Sequence, residues 1–332
     1  METVTQQRPI GFLGLGVYLP QRVMTNDEWS QYVDTTDEWI TERTGIKRRR
    51  VAAPNESTVD LAEAAAKAAL KDAGLSVDDI DEIIVATDTP EAFLPDTASF
   101  LQHRLGAREV PGYDLAGSGC AGFLQALDVA WSRAQHGSRK VLVVGVEVLT
   151  RLMNWQDRNT CVLFGDAAGA AVVGAKPKAQ FLSAAAGTDG SKIEILWLEV
   201  GGTRKPFTLE RAQQNLQKNI IMKGREVFKE AVTRMSQVSR QVLEKAGVCL
   251  EDVALVIPHQ ANLRILEAVR QELELPKEKL FVNVQEFGNT GSASVAVALW
   301  QAREEGRIKP GDLVLLTSFG AGLHWAALLV KF

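Results

Sequence analysis

Leu70-Lys71-Asp72-Ala73-Gly74-Leu75-Ser76-Val77-Asp78-Asp79-Ile80-Asp81-Glu82-Ile83-Ile84 has a counterpart 173 residues on, in Leu243-Glu244-Lys245-Ala246-Gly247-Val248-Cys249-Leu250-Glu251-Asp252-Val253-Ala254-Leu255-Val256-Ile257. Leu70, Ala73, Gly74, Asp79 and Ile84 meet Leu243, Ala246, Gly247, Asp252 and Ile257 without a gap. Each segment reads as the end of an amphipathic helix, a glycine stop, a short loop and a buried strand. The same offset lays Lys140–Val144 on Leu313–Thr317, an apolar strand in each case. Amphipathic helix–strand units resemble one another by chance, but two matches in one register favour a duplication. The chain is therefore expected to hold two α/β halves, 1–178 and 179–332. In each, helices alternate with short Val/Ile/Leu-rich strands, which favours a largely parallel sheet between helices. The stretch 187–217 mixes charged and apolar residues without clear period, and within it Gly201-Gly202-Thr203-Arg204-Lys205-Pro206 reads as a surface loop. Two related halves placed face to face would open a cleft near their pseudo-twofold axis, where loops from corresponding strand ends meet.

The 332 residues are 46% hydrophobic and 23% charged, with a net charge of −4, an ordinary globular composition. Nothing in that balance calls for nucleic acid or a membrane as partner. Three cysteines do not make a disulfide framework, so a reducing cytoplasm is expected. No CxxC or HExxH occurs, and no metal site is expected. Met1–Pro9 is polar and has no apolar h-region, and the Gly-rich run from Ile10 to Gly16 reads as a first strand.

Within the first half, Asp114-Leu115-Ala116-Gly117-Ser118-Gly119-Cys120-Ala121-Gly122-Phe123 places a thiol between an apolar strand and a helix marked by Leu124, Leu127 and Trp131. A helix start offers unpaired N–H groups and the positive end of the macrodipole, which stabilise a thiolate. A small buried apolar cysteine reads the same way. In the second half, Pro258-His259-Gln260-Ala261-Asn262-Leu263-Arg264 puts His259 at the mouth of a strand, where a capping histidine would also stand. Phe287-Gly288-Asn289-Thr290-Gly291-Ser292 precedes a helix that takes the place of the Cys120 helix in its own half, and Asn289 also suits a plain turn. If the dyad holds, Cys120, His259 and Asn289 face one cleft. A thiol, an imidazole and an amide there point to acyl transfer through a thioester. In a cysteine hydrolase His would be the base and Asn its orienter, but the papain signature is absent. In a condensing enzyme both would donate hydrogen bonds to a developing enolate oxygen.

These residues resemble the thiolase-fold condensing enzymes, most closely the beta-ketoacyl-acyl-carrier-protein synthase III family. The resemblance runs over nearly the whole chain. It is carried by Asp34–Ile40, Arg43-Thr44-Gly45-Ile46, Cys120-Ala121-Gly122-Phe123 and Phe164-Gly165-Asp166. Met222–Lys229, the His259 motif, Gly288-Asn289-Thr290 and Phe319-Gly320-Ala321-Gly322 complete it. It implies a thiolase-like αβαβα sandwich of five layers and a cytoplasmic homodimer that starts fatty-acid synthesis. A short acyl-CoA would acylate Cys120, and malonyl-acyl-carrier protein would then be decarboxylated and condensed with that thioester. The backbone N–H groups of Cys120 and Ala321 would form the oxyanion hole. The resemblance also implies a coenzyme A tunnel with adenine between Trp39 and Arg158, and with Thr35, Arg43, Gly224, Phe228, Ala261, Asn262 and Arg264 along it. No resident cofactor is implied, because the acyl group rides on Cys120.

The departures are specific. Gly117-Ser118-Gly119 stands where relatives often carry alanines, so closer backbone contact is expected there. Leu94 matches a position where a partner subunit's Phe closes the acyl pocket in some relatives. His324 lies where small residues are common and reads as a satisfied near-core histidine. Asp88 falls where hydroxymethylglutaryl-CoA synthases carry a glutamate base, which leaves that chemistry, and acyl transfer to another acceptor, as alternatives. Lys223, Arg225, Lys229, Arg264 and Arg270 would offer a basic patch to an acidic carrier protein, or simply form a solvated face. Cys161 and Cys249 are expected to be structural, and His103 and His136 to lie on the surface.

Overall fold

The computed structural model describes residues 8–137 and 139–332; the polar run Met1–Gln7 and Ser138 lie outside the described residues. Its strands are β1 (Ile10–Tyr18), β2 (Arg22–Thr25), β3 (Arg48–Val51), β4 (Glu82–Thr87), β5 (Gly112–Ala116), β6 (Val141–Val148) and β7 (Asp166–Ala175). They continue with β8 (Ala179–Thr188), β9 (Leu196–Leu198), β10 (Ile220–Met222), β11 (Val253–Pro258), β12 (Leu313–Gly320) and β13 (His324–Lys331). Nine of them form one sheet in the order β11-β12-β13-β8-β1-β7-β6-β4-β5.

The repeat in the sequence reappears in the hydrogen-bonded ladders. β4 pairs parallel with β6 so that Ile83 faces Leu142 and Ile84 faces Val143. β11 pairs parallel with β12 so that Val256 faces Leu315 and Ile257 faces Leu316, each partner 173 residues on from its counterpart. The helices before these strands, Thr58–Ala73 and Gly224–Ala246, both end on a left-handed glycine, Gly74 and Gly247. The residue after each glycine donates back to Leu70 or Leu243, which closes the same C-terminal motif twice.

Alternation along the strands sends side chains to opposite faces and builds the layers. Ile84, Ala86, Leu255 and Ile257 join a central core with helices Gly122–Gln135 and Ser294–Glu304. Ile83 and Val85 face the outer helices Thr58–Ala73 and Thr97–Leu105. Val253 and Val256 face Gly224–Ala246 and Leu263–Glu272 on the other outer side. Helix, sheet, helix, sheet, helix is the five-layer αβαβα sandwich.

Two features differ from the expected sheet. Only β4·β5, β4·β6 and β11·β12 run parallel, while the other five pairings of this sheet are antiparallel. Parallel neighbours need a crossover, and helices supply one at those places, whereas β12 and β13 are joined by a turn too short for one, and β7 and β8, joined by another, flank β1 on its two sides. The halves also share an edge, because β1 pairs with β8 through Gly11 and Phe12.

Candidate active site

Cys120 does not sit in the first α-turn. It occupies a single 3₁₀ turn, Gly119–Ala121, that leads into the helix beginning at Gly122. Gly119 has φ +55°, and a Cβ there would lie 2.5 Å from the Ala321 nitrogen. A side chain is excluded by both backbone conformation and space. The closer approach expected from the Gly-Ser-Gly departure is thus used to bring the Cys120 backbone against Gly320–Ala321, at the end of β12. The second half repeats the device: the 3₁₀ turn Gly291–Ala293 precedes the helix Ser294–Glu304, so Ser292 is the counterpart of Cys120.

The three reactive side chains meet. Cys120 Sγ lies 3.9 Å from Asn289 Oδ1, and Cys120, His259 and Asn289 line one cavity of about 950 Å³. Asn289 is fixed by its backbone, which accepts from Gly165 N–H and donates to Leu163. Its Oδ1 accepts the Gly291 N–H at 2.9 Å, which leaves the Nδ2 donors for a ligand. His259 donates its backbone N–H to Thr317 at 2.8 Å and is 2% exposed. Its Nδ1 is buried without a partner, and burial lowers the imidazole to about 3, so the ring is neutral. Gln260 locks this loop: Oε1 accepts from Asn283 N–H, while Nε2 donates to the Pro258 and Phe281 carbonyls.

The groups around the sulfur oppose the thiolate expected from the helix start. Burial, and then the charges of Asp88 and Glu147, push the Cys120 thiol above its usual range. Two carboxyls oppose the field of the helix that begins at Gly122. Glu147 is fully buried in β6, where it accepts from Asp88 N–H (3.1 Å), Thr89 Oγ1 (2.7 Å) and Ser292 Oγ (2.9 Å). Burial, followed by Asp88, raises this carboxyl to about 8. Asp88 is raised by burial too, although the Gly117 and Gly119 N–H groups donate to it. Sequence reading passed over Glu147 altogether. Its signal was one charged residue inside the apolar run Val141-Leu-Val-Val-Gly-Val-Glu147-Val148.

Ala321, Trp39, Arg43, Gly224, Phe228, Ala261, Asn262 and Arg264 line the same cavity. Asn262 caps the helix Leu263–Glu272 and donates to the Arg43 carbonyl, while Arg264 donates to that of Glu42, so the two halves are tied together at the mouth. Thr35 and Arg158 do not line it. Thr35 is buried with an unpartnered hydroxyl. Arg158 is held by the Asp34 carbonyl, with its guanidinium 4.9 Å from the Trp39 ring, which leaves no gap for a base between them. Arg43 stands 4.6 Å from the same ring. Leu94 is remote from the cavity and 89% exposed. Within the 187–217 stretch, Ile193 and β9 form cavity wall, and β10, paired with β9, extends it. Cys249 is exposed, so only Cys161 belongs to a core; His103 and His136 are exposed as expected. His324 bonds Thr188 Oγ1 at 2.8 Å and the Gly117 carbonyl, behind the nucleophile turn.

Models of 3-oxoacyl-[acyl-carrier-protein] synthase III match residues 113–190, and models of its C-terminal part match 243–332. The beta-ketoacyl-[acyl-carrier-protein] synthase III of Caldanaerobacter subterraneus subsp. tengcongensis is 48% identical over 97% of each chain. The chain belongs to the beta-ketoacyl-[acyl-carrier-protein] synthase III family. It is thereby an acyltransferase, a condensing enzyme of the thiolase fold. The crystal structure of the synthase III from Aquifex aeolicus matches it with a TM-score of 0.89 at 46% identity, covering 97% of this chain and 100% of that one. The synthase III of Thermus thermophilus matches with a TM-score of 0.89 at 45% identity, covering 97% and 99%. Within this family frame, no helix among the described residues is long and apolar enough to cross a membrane.

Proposed function

We propose that this synthase III joins a short acyl-CoA primer to malonyl-acyl-carrier protein and so begins fatty-acid synthesis. Cys120 Sγ attacks the primer thioester, the acyl carbon–sulfur bond to coenzyme A breaks, and coenzyme A leaves as the free thiol with the proton lost by Cys120. The Cys120 and Ala321 N–H groups hold the tetrahedral oxygen. Malonyl-carrier protein then binds with its thioester oxygen against neutral His259 and Asn289 Nδ2. Carbon dioxide departs and leaves its electron pair as the enolate. That carbon attacks the Cys120 thioester, a carbon–carbon bond forms, and the Cys120 sulfur is released. Donors matched to a developing oxyanion, without a permanent charge, favour the enolate over the intact malonyl group.

The observation that carries this reading is the Cys120–Asn289 contact of 3.9 Å beside His259 in one cavity. Trp39, Arg43, Gly224, Phe228, Ala261, Asn262 and Arg264 are assigned to the coenzyme A and carrier arm, with Thr35 and Arg158 reached once Arg158 moves off Trp39. The acyl group is carried on Cys120 and no resident cofactor is assigned. Leu94, beside the 85% exposed Phe93, is assigned to the acyl pocket of a second copy, in a cytoplasmic homodimer. The halves are divided at 178/179, where β7 turns into β8.

Labelled acetyl-, isobutyryl- and octanoyl-CoA test the reading. Label should stay on the wild type and not on Cys120→Ser, and malonyl-carrier protein should then release carbon dioxide. Turnover of acetoacetyl-CoA with no carrier protein would instead support the hydroxymethylglutaryl-CoA synthase chemistry that Asp88 leaves open.

A further inference from the structure

Two carboxyls, the buried Glu147 and the half-buried Asp88, line the cavity with the nucleophile, and the condensation steps above use neither. Glu147 receives hydrogen bonds from three donors on two segments: the Asp88 N–H, the Thr89 hydroxyl and the Ser292 hydroxyl. The Ser292 hydroxyl also lies 3.1 Å from the Gly119 carbonyl, one residue before Cys120. Asp88 in turn takes the N–H groups of Gly117 and Gly119. The turn that presents the thiol is therefore held on its donor side by Asp88 and on its acceptor side by the Ser292 link to Glu147. Among the described residues, neither carboxyl makes a salt bridge. Two carboxyls that line one cavity with no cation beside them oppose each other's ionisation and that of a neighbouring thiol.

We propose that Asp88 and Glu147 together position the Gly117–Cys120 turn and set the pH at which Cys120 becomes a thiolate. This rests on Cys120 as the nucleophile of the condensation. The titratable groups around the pair are few. Cys120 faces it from the 3₁₀ turn, and His259 lies across the cavity at the end of β11, neutral through burial. His324 reaches the far side of the turn at the Gly117 carbonyl. Arg43, Asp157 and Arg264 belong to other parts of the cavity wall. With no cation opposite, each negative charge on the pair opposes a third one on sulfur. The resting enzyme thus keeps a neutral thiol that general electrophiles attack slowly. Removing either charge should favour the thiolate, and removing both should favour it most.

The test is the pH dependence of iodoacetamide alkylation at Cys120, read peptide by peptide so that exposed Cys249 does not contribute. Asp88→Asn keeps an acceptor for the two glycine N–H groups. Glu147→Gln keeps its shape, and the hydroxyls of Thr89 and Ser292 can turn to meet the new amide. The thiolate inflection should move to lower pH in each variant and furthest in the double variant. A shift of about one unit means roughly tenfold faster alkylation below the inflection. Ser292→Ala changes no charge; it should slow acylation by acetyl-CoA without moving the inflection. A wild-type inflection in folded Asp88→Asn and in the double variant would overturn the proposal, as would a Ser292→Ala shift equal to that of Glu147→Gln. Label retained on Cys120→Ser would instead defeat the nucleophile assignment, and the alkylation profiles would stand apart from it.

Discussion

At the scale of single residues, Asn289 and His259 are prepared as donors by different means. The Asn289 oxygen is occupied by the Gly291 N–H, so the amide turns its Nδ2 to the ligand. His259 is made a neutral donor by burial alone. Neither group is needed to form the Cys120 thioester. His259→Ala and Asn289→Ala should therefore slow decarboxylation of malonyl-carrier protein by ~10²–10³, while self-acylation by labelled acetyl-CoA changes much less. Equal loss in both assays would contradict the roles. The buried imidazole also affects stability. Its folded value, about 3, lies below the ordinary 6.5, so the unfolded chain binds the extra proton first as pH falls. Relative to His259→Gln, the wild type should lose stability steadily from about pH 6.5 toward about pH 3, by ~1.4 kcal/mol for each unit traversed. Denaturant midpoints of the two proteins across that range check the sign.

At the scale of elements, the repeated helix–glycine–strand unit was legible because its signals are local. Periodicity, a glycine stop and an apolar run all depend on near neighbours in the chain. Gly74 and Gly247 have φ +69° and +65°, with no atom within 4 Å of an added Cβ. Alanine at either should cost only the backbone strain, about 1 kcal/mol and nearly the same at both, as chemical denaturation would show. Gly119 differs, because its Cβ would meet the Ala321 nitrogen at 2.5 Å. Gly119→Ala should leave the fold intact and abolish most acylation of Cys120, since the thiol and the Ala321 N–H would be forced apart. Full acylation by that variant would show that the contact is dispensable. The parallel-sheet expectation failed at the same scale: the pattern of a buried strand says nothing about the direction of its neighbour, which the connection decides. The thiolate expectation rested on a motif that shows its own helix start and hides acids that arrive from β6 and from the end of β4.

At the scale of the whole molecule, the pseudo-dyad places corresponding turns back to back, with Ser292 Oγ 3.1 Å from the carbonyl of Gly119. One turn supplies the sulfur and the other supplies a hydroxyl that braces it. Phe93 and Leu94 are 85% and 89% exposed and adjacent, which makes a large apolar tip. Sedimentation should give the mass of two chains. Leu94→Phe should change the ranking of acetyl-, isobutyryl- and octanoyl-CoA as primers if the tip reaches the partner's acyl pocket. An unchanged ranking would remove Leu94 from that role.

Taken alone, the sequence determined the repeated unit, the helix ends, the buried strands and the three residues that meet in one cavity, because chemistry and periodicity are written into residue type and spacing. Only the tertiary structure decided which charges surround the thiol, that Arg158 closes on Trp39, and that the 187–217 stretch walls the cavity. Those facts depend on segments far apart in the chain. Burial in a shared low-dielectric site sets the strength of their interaction, and no local pattern encodes it.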